Sequence, residues 1–145
     1  MEIIFLKMLV RKIIYLILDL FDQHKEKIPN LFLKKFKKYP QLLKKDKQRI
    51  RVCVNEIIRY LGLIDHLIEV GSDRKIRHVN SKVKNVLRLG IYELVFDDMT
   101  PDFAAIHSNV ELAKKYINKK SSSMVNAVMR NIQRLNQKNR NWKMS

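Results

Sequence analysis

The stretch Ser81-Lys82-Val83-Lys84-Asn85-Val86-Leu87-Arg88-Leu89-Gly90-Ile91-Tyr92-Glu93-Leu94-Val95-Phe96-Asp97 decides the fold. Val83, Val86, Leu87, Ile91, Leu94 and Val95 recur at steps of three and four, the spacing of one face of an α-helix. The stretch is therefore predicted as a core helix over 81–97. Gly90 falls in its middle, where glycine costs about 1 kcal/mol against alanine. A close approach by another helix would offset that cost.

Towards the C-terminus, Asp97-Asp98-Met99 closes this helix. Thr100-Pro101 reads as an N-cap followed by proline at the first helical position. The helix it starts runs to about Ile117, with Phe103, Ile106, Val110, Ala113 and Ile117 inward. Asn118-Lys119-Lys120 reads as a turn, and Ser121 to Ser123 offer N-caps for a last helix to about Lys138. Its core face is Met124, Val125, Val128, Ile132 and Leu135. Residues 139–145 read as a frayed basic tail.

Towards the N-terminus, residues 74–79 are expected to form one helical turn. Gly71 is placed like a C-terminal cap, and Ser72 like a cap for the next segment. Residues 42–70 read as one long helix with Ile50, Val54, Ile57, Ile58, Leu61, Ile64 and Ile68 on its core face. Ile28-Pro29-Asn30 breaks the pattern, and residues 30–39 form a short amphipathic helix ended by Pro40. In that helix Leu31, Phe32, Leu33, Phe36 and Tyr39 oppose Lys34, Lys35, Lys37 and Lys38. Residues 3–22 form an apolar helix with one polar stripe, Lys7, Arg11, Tyr15 and Asp19, and it must be buried on most sides. The fold class is all-α. The chain is expected to be a single domain over 1–138.

Composition agrees with this reading. Three glycines and three prolines are too few for the turns of a sheet of short strands. The 30 Lys and Arg against 14 Asp and Glu leave a formal charge of +16. A charge that large opposes compaction, so it normally serves an anionic partner. Lys7, Arg11, Lys12 and Asp19 interrupt the first helix and disfavour a membrane span. No small-residue cleavage site follows it, so it does not read as a signal peptide. The single cysteine, Cys53, excludes an intrachain disulfide and a cysteine zinc site, which fits a reducing, cytoplasmic setting. It reads as a small buried hydrophobe.

Catalytic chemistry is not signalled. The glycines at 62, 71 and 90 stand alone, so no loop cradles a phosphate or a dinucleotide. His24, His66, His78 and His107 lie on different elements without metal-ligand spacing. Asp65-His66 and His107-Ser108 are sequence neighbours and point about 100° apart on a helix. No enzyme activity, cofactor or metal is expected.

Basic rows are signalled. Arg130, Arg134 and Lys138 follow at i, i+4 and i+8, with Asn126 on the same row. Lys119 and Lys120 precede them, and Lys114 and Lys115 end the helix before. Such a rim around a helix N-terminus suits a phosphodiester backbone. Asn126, Asn131 and Gln133 are candidate hydrogen-bonding groups for bases or sugars. Lys7, Arg11 and Lys12 form a second candidate patch, and Lys47, Arg51 and Arg59 a third. A solvated helix face is the competing reading of each row. Few aromatic residues interleave with them: Tyr116 adjoins Lys114 and Lys115, and Trp142 lies in the tail.

Three motifs in order carry a family resemblance. Val86 to Leu94 resembles the "LRLGxYEL" helix of the NusB superfamily. Phe103 to Ile106 leading to Val110 to Lys115 resembles its "VAINEAVELAKK" helix, and Met124 to Arg130 its closing "FVNGVL" helix. Order and spacing agree over residues 46–134. The resemblance implies a helical bundle of about six to seven helices in two packed three-helix subdomains, and RNA binding. In one branch of that family, NusB binds boxA-type leader RNA of ribosomal RNA operons together with NusE, a ribosomal protein, in transcription antitermination with polymerase-associated factors. In the other, the same fold is the N-terminal RNA-binding domain of Sun/Fmu-type ribosomal RNA cytosine methyltransferases. Met124 to Arg134 resembles the second branch, but nothing here resembles that enzyme's catalytic domain. Ile106-His107-Ser108 stands where the family motif reads INE, and Lys119-Lys120 where an acidic residue is usual. A third reading, motivated by the apolar first helix, is a dimerisation or protein-interaction module; monomer and homodimer both remain open.

Overall fold

The structure is a computed structural model that describes residues 2–23 and 26–138. His24, Trp142 and the tail 139–145 lie outside the described residues. The described residues form seven α-helices: α1 (Glu2–Asp22), α2 (Ile28–Lys38), α3 (Lys44–Arg59), α4 (Leu61–Ser72), α5 (Ser81–Ile91), α6 (Asp102–Tyr116) and α7 (Lys119–Lys138). A 3₁₀ turn spans Ile76–His78 and a π-helical turn Tyr92–Phe96. There is no strand among the described residues. The all-α class is as expected. The helices group into two units, Met1–Arg59 and Tyr60–Ser145. The first holds three helices, and the second holds four rather than three.

In the first unit α1 packs on α2 and α3. Ile13, Ile14, Ile17 and Leu18 of α1, Leu31 and Phe32 of α2, and Ile50, Cys53, Val54 and Ile57 of α3 are buried. Burying each such large aliphatic side chain contributes about 1.5–3 kcal/mol. Tyr15, assigned from its spacing to a polar stripe, is 4% exposed. Burial, and then the charge of Asp19, raise its phenol pKa above the ordinary value. Pro29 does not precede α2 but lies within its first turn, where a missing N–H costs nothing. Leu33, predicted on the apolar face, is 68% exposed.

The long helix predicted over 42–70 is two helices. Tyr60 interrupts it with φ −102° and ψ 20°. Its ring stacks on Phe96 at 5.0 Å between centroids, and Gly62 adds little helix propensity just beyond. Gly71 is not a cap but a buried residue inside α4. A Cβ there would meet Val128 and Ile132 of α7 at 3.0 Å, so glycine permits the close approach of α4 to α7. The cap is Asp73, in the left-handed region with φ 55°, which aspartate tolerates better than most residues. Ser72 ends α4 and does not cap the 3₁₀ turn, whose N-cap position is Lys75 without a side-chain bond; Asn80 caps α5, its Oδ1 accepting from the N–H groups of Lys82 and Val83.

The core residues predicted for 81–97 are all buried. Gly90 is where a helix comes close: a Cβ there would lie 2.7 Å from the Met129 sulfur of α7. The helix is α only to Ile91 and then widens into the π turn. Glu93 in that turn is buried, and the Asn109 amide of α6 donates to it at 2.9 Å and to the Ala105 carbonyl at 2.8 Å. The start of α6 also differs from expectation. Thr100 donates to Asp97 at 2.7 Å, Pro101 is the cap position, and the helix begins at Asp102. Phe103 then turns outward and is 77% exposed rather than core.

Candidate nucleic-acid interface

Lys114 and Lys115 stand exposed in the last turn of α6, where positive charge favours the helix dipole. Lys115 Nζ lies 5.6 Å from the centre of the Tyr116 ring. Only Ile117 and Asn118 separate this helix from the next. Asn118 caps α7: its Oδ1 accepts from the Ser121 N–H at 2.7 Å. The serines predicted as caps therefore lie inside the helix, and Ser122 and Ser123 donate back to the Lys119 carbonyl. Lys119 and Lys120 become the first two residues of α7, both exposed. There the dipole repels them, by about 0.3–1 kcal/mol for each charge. Four of the predicted cations thus flank one tight interhelical link.

About two helical turns further along α7 lies a cleft of about 370 Å³ between α6 and α7. Phe103, Ile106, His107 and Val110 line it from α6, and Asn126, Arg130 and Gln133 from α7. Arg130 is exposed, and its Nε donates to Asn126 Oδ1 at 3.1 Å. Gln133 donates to Asp102 at 3.4 Å. Asn131, predicted as a base-reading group, holds the fold instead: its amide donates to the Gly71 carbonyl at 2.9 Å, and it accepts from Arg134. Exposed Arg134 is thus tied to α7's own surface.

The predicted N-terminal patch lies in the other unit. Lys7 is exposed, and Arg11 and Lys12 are half-buried. Lys12 Nζ lies 5.9 Å from the centre of the Tyr39 ring, and Lys38 Nζ 5.7 Å. On α3, Lys47 Nζ and the Arg51 guanidinium lie over Phe36, at 5.8 and 4.9 Å. The sequence reading missed this array. The spacing of Phe36 and Tyr39 at i, i+3 among lysines, with no acidic residue in α2, was its one visible sign. Burial, then the neighbouring charge of Lys38 and also of Lys12, lower the Lys35 pKa; Tyr39 opposes them.

Among the described residues no group of three or more His, Cys, Asp or Glu side chains is placed to hold a metal ion. No helix among them is long and apolar enough to cross a membrane.

Comparison with known proteins agrees with the motif reading. The family model described as NusB family matches residues 8–134. The NusB transcription antitermination protein of Finegoldia magna is 30% identical over 98 residues, 67% of this chain and 72% of that protein. That of Ruminiclostridium cellulolyticum is 33% identical over 89 residues, 61% of each chain. A probable ribosomal RNA small subunit methyltransferase B of Synechocystis is 31% identical over 96 residues, 66% of this chain but 22% of that protein. Among solved structures, a chain in a crystal structure of antitermination factors NusB and NusE with double-stranded RNA superposes with TM-score 0.81 at 25% identity. That match covers 90% of this chain and 97% of the other. With the three motifs in order and a family match running through both units, the chain belongs to the NusB family.

Proposed function

We propose that this protein is a NusB-type transcription antitermination factor. In this reading it binds leader RNA of ribosomal RNA operons in the cytoplasm, with the ribosomal protein NusE as partner and without catalysis of its own. The observation that carries the reading is the pair Lys119 and Lys120, exposed in the first turn of α7 where the fold itself disfavours positive charge. Lys114, Lys115 and the Arg130 cleft extend that charge along α6 and α7. Lys7, Arg11 and Lys12 add a basic contact in the first unit. Residues 1–138 act as one RNA-binding module, a view supported by the family match through both units. The structural neighbour that holds NusE and RNA supports the partner assignment.

The test is binding of the full chain to a ribosomal RNA leader fragment and to a random-sequence RNA of equal length. Sub-micromolar affinity for the leader, steeply weakened by salt, is expected, because lysine and arginine displace counterions. Equal affinity for both RNAs at moderate salt would sink sequence-specific antitermination. Co-purification with NusE tests the partner. A second reading, an RNA-targeting domain serving a ribosomal RNA methyltransferase, is favoured by the match to the Synechocystis enzyme. It predicts preference for mature ribosomal RNA over the leader.

A further inference from the structure

We propose that the face of the first unit where Lys35, Lys38, Lys47 and Arg51 gather around Phe36 and Tyr39 is an RNA-binding surface that Lys12 joins to the Lys7 and Arg11 contact, taking a single-stranded segment by its phosphodiester backbone. This rests on the RNA-binding reading above and extends it to a place outside the α6–α7 rim.

Three helices build the surface. Phe36 in the last turn of α2 and Tyr39 at its C-cap are both half-buried. Lys12 reaches Tyr39 from α1 at 5.9 Å, and Lys38 reaches it at 5.7 Å. Lys47 and Arg51 reach Phe36 from α3 at 5.8 and 4.9 Å. Attraction to the ring faces fixes the positions of long side chains that would otherwise be mobile. A ligand that meets these charges therefore costs less side-chain ordering.

The charge there is not balanced internally. Among the described residues no carboxylate pairs with Lys35, Lys38, Lys47 or Arg51. Asp46, the acidic group in the first turn of α3, accepts from the Leu43 N–H at 2.9 Å. Burial first, and then the charges of Lys38 and Lys12, lower the pKa of Lys35, so like charges do crowd at this face. A polyanion with regularly spaced charges relieves that crowding at several points at once. Arg51, exposed and lying over Phe36, adds a planar group on which a splayed base can stack. Such stacking favours a single strand over a duplex.

The test measures affinity of the full chain for a single-stranded leader RNA of about 30 nucleotides across a salt series. Each backbone contact on a single strand adds about 0.7 to the slope of log K against log salt. The variant K38Q/K47Q/R51Q should lose about 2 from that slope, and the variant K119Q/K120Q a further, additive amount. F36L, which leaves every charge in place, should weaken binding with a smaller change of slope. Unchanged helical circular dichroism checks that each variant folds. A wild-type slope in K38Q/K47Q/R51Q overturns this surface while leaving RNA binding at the α6–α7 rim intact. A wild-type chain that binds no RNA overturns both readings. If K38Q/K47Q/R51Q keeps its RNA slope but loses binding to vesicles containing phosphatidylserine, the surface is a lipid contact and the inference fails.

Discussion

Arg88 grips Asp65 with two parallel hydrogen bonds: Nε donates to Oδ1 and Nη2 to Oδ2, each at 2.8 Å. The guanidinium is 5% exposed and the carboxylate 20%, so the pair ties α5 to α4 largely out of water. A third bond, from Nη1 to Asn85 Oδ1 at 3.0 Å, holds the arginine in place. Removing one partner of such a pair strands the other. Asp65→Ala is expected to destabilise the protein towards the lower end of about 3–5 kcal/mol, because the carboxylate side is partly solvated. Urea titration checks this. A loss below about 1 kcal/mol, the range of exposed pairs, would refute the argument.

Gly90 tests the close approach of α5 and α7. Gly90→Ala gains about 1 kcal/mol in helix propensity but places a methyl within 2.7–2.8 Å of the Met129 thioether. Forcing a methyl into a packed core costs about 1–3 kcal/mol. The thioether end is flexible, so the expected net loss is small, about 1 kcal/mol. Gly90→Val, with two further carbons, should lose clearly more. Thermal melts of both variants decide it, and equal stability of the two would mean that the helices are not in contact there.

At the start of α7, stability and binding should move in opposite directions. Lys119→Ser/Lys120→Ser removes two charges that the helix dipole repels, so folding should gain about 0.3–1 kcal/mol for each. The same variant should bind RNA more weakly and with a shallower salt slope. A melt and a binding curve on one preparation read both signs. Weaker binding with lost stability would instead indicate damage to the fold.

Lys35 should make stability depend on alkaline pH. Its folded-state pKa lies below the unfolded one, so the folded protein holds fewer protons in the interval between them. The penalty is present in full below the folded pKa and is relieved as pH rises through it towards the usual lysine range. Lys35→Gln should therefore raise the melting temperature at neutral pH, by an amount that shrinks as pH rises. Lys12, Lys38 and Tyr39 also act electrostatically on Lys35. The difference between variant and wild type is therefore the quantity to measure. A difference that does not change with pH would rule out this account.

The sequence carries the fold wherever periodicity is clean. The core faces of α3, α5 and α7 could be read from apolar spacing, and the close contact at Gly90 from its cost. Boundaries were harder, because side chains compete for them. The pattern continues through Tyr60, and only the stacked Phe96 ring, distant in sequence, marks the break. Gly71 reads as a cap until Val128 and Ile132 are seen against it. Asn118 takes the capping role from three serines by standing three residues before the first of them. Cationic rows on single helices were legible, because i, i+4 spacing needs no tertiary knowledge. The cluster around Phe36 and Tyr39 was not, because α1 and α3 supply half of it.

The burial of Cys53 has a practical consequence. The chain contains one thiol, and α3 holds it at 0% exposure. A thiol reagent added to the native protein therefore waits for the first unit to open before it reacts. The labelling rate is a clock for that unit alone, and no probe has to be engineered. Set beside the loss of helical signal from the whole chain, it tells whether the two units unfold in one event or in succession.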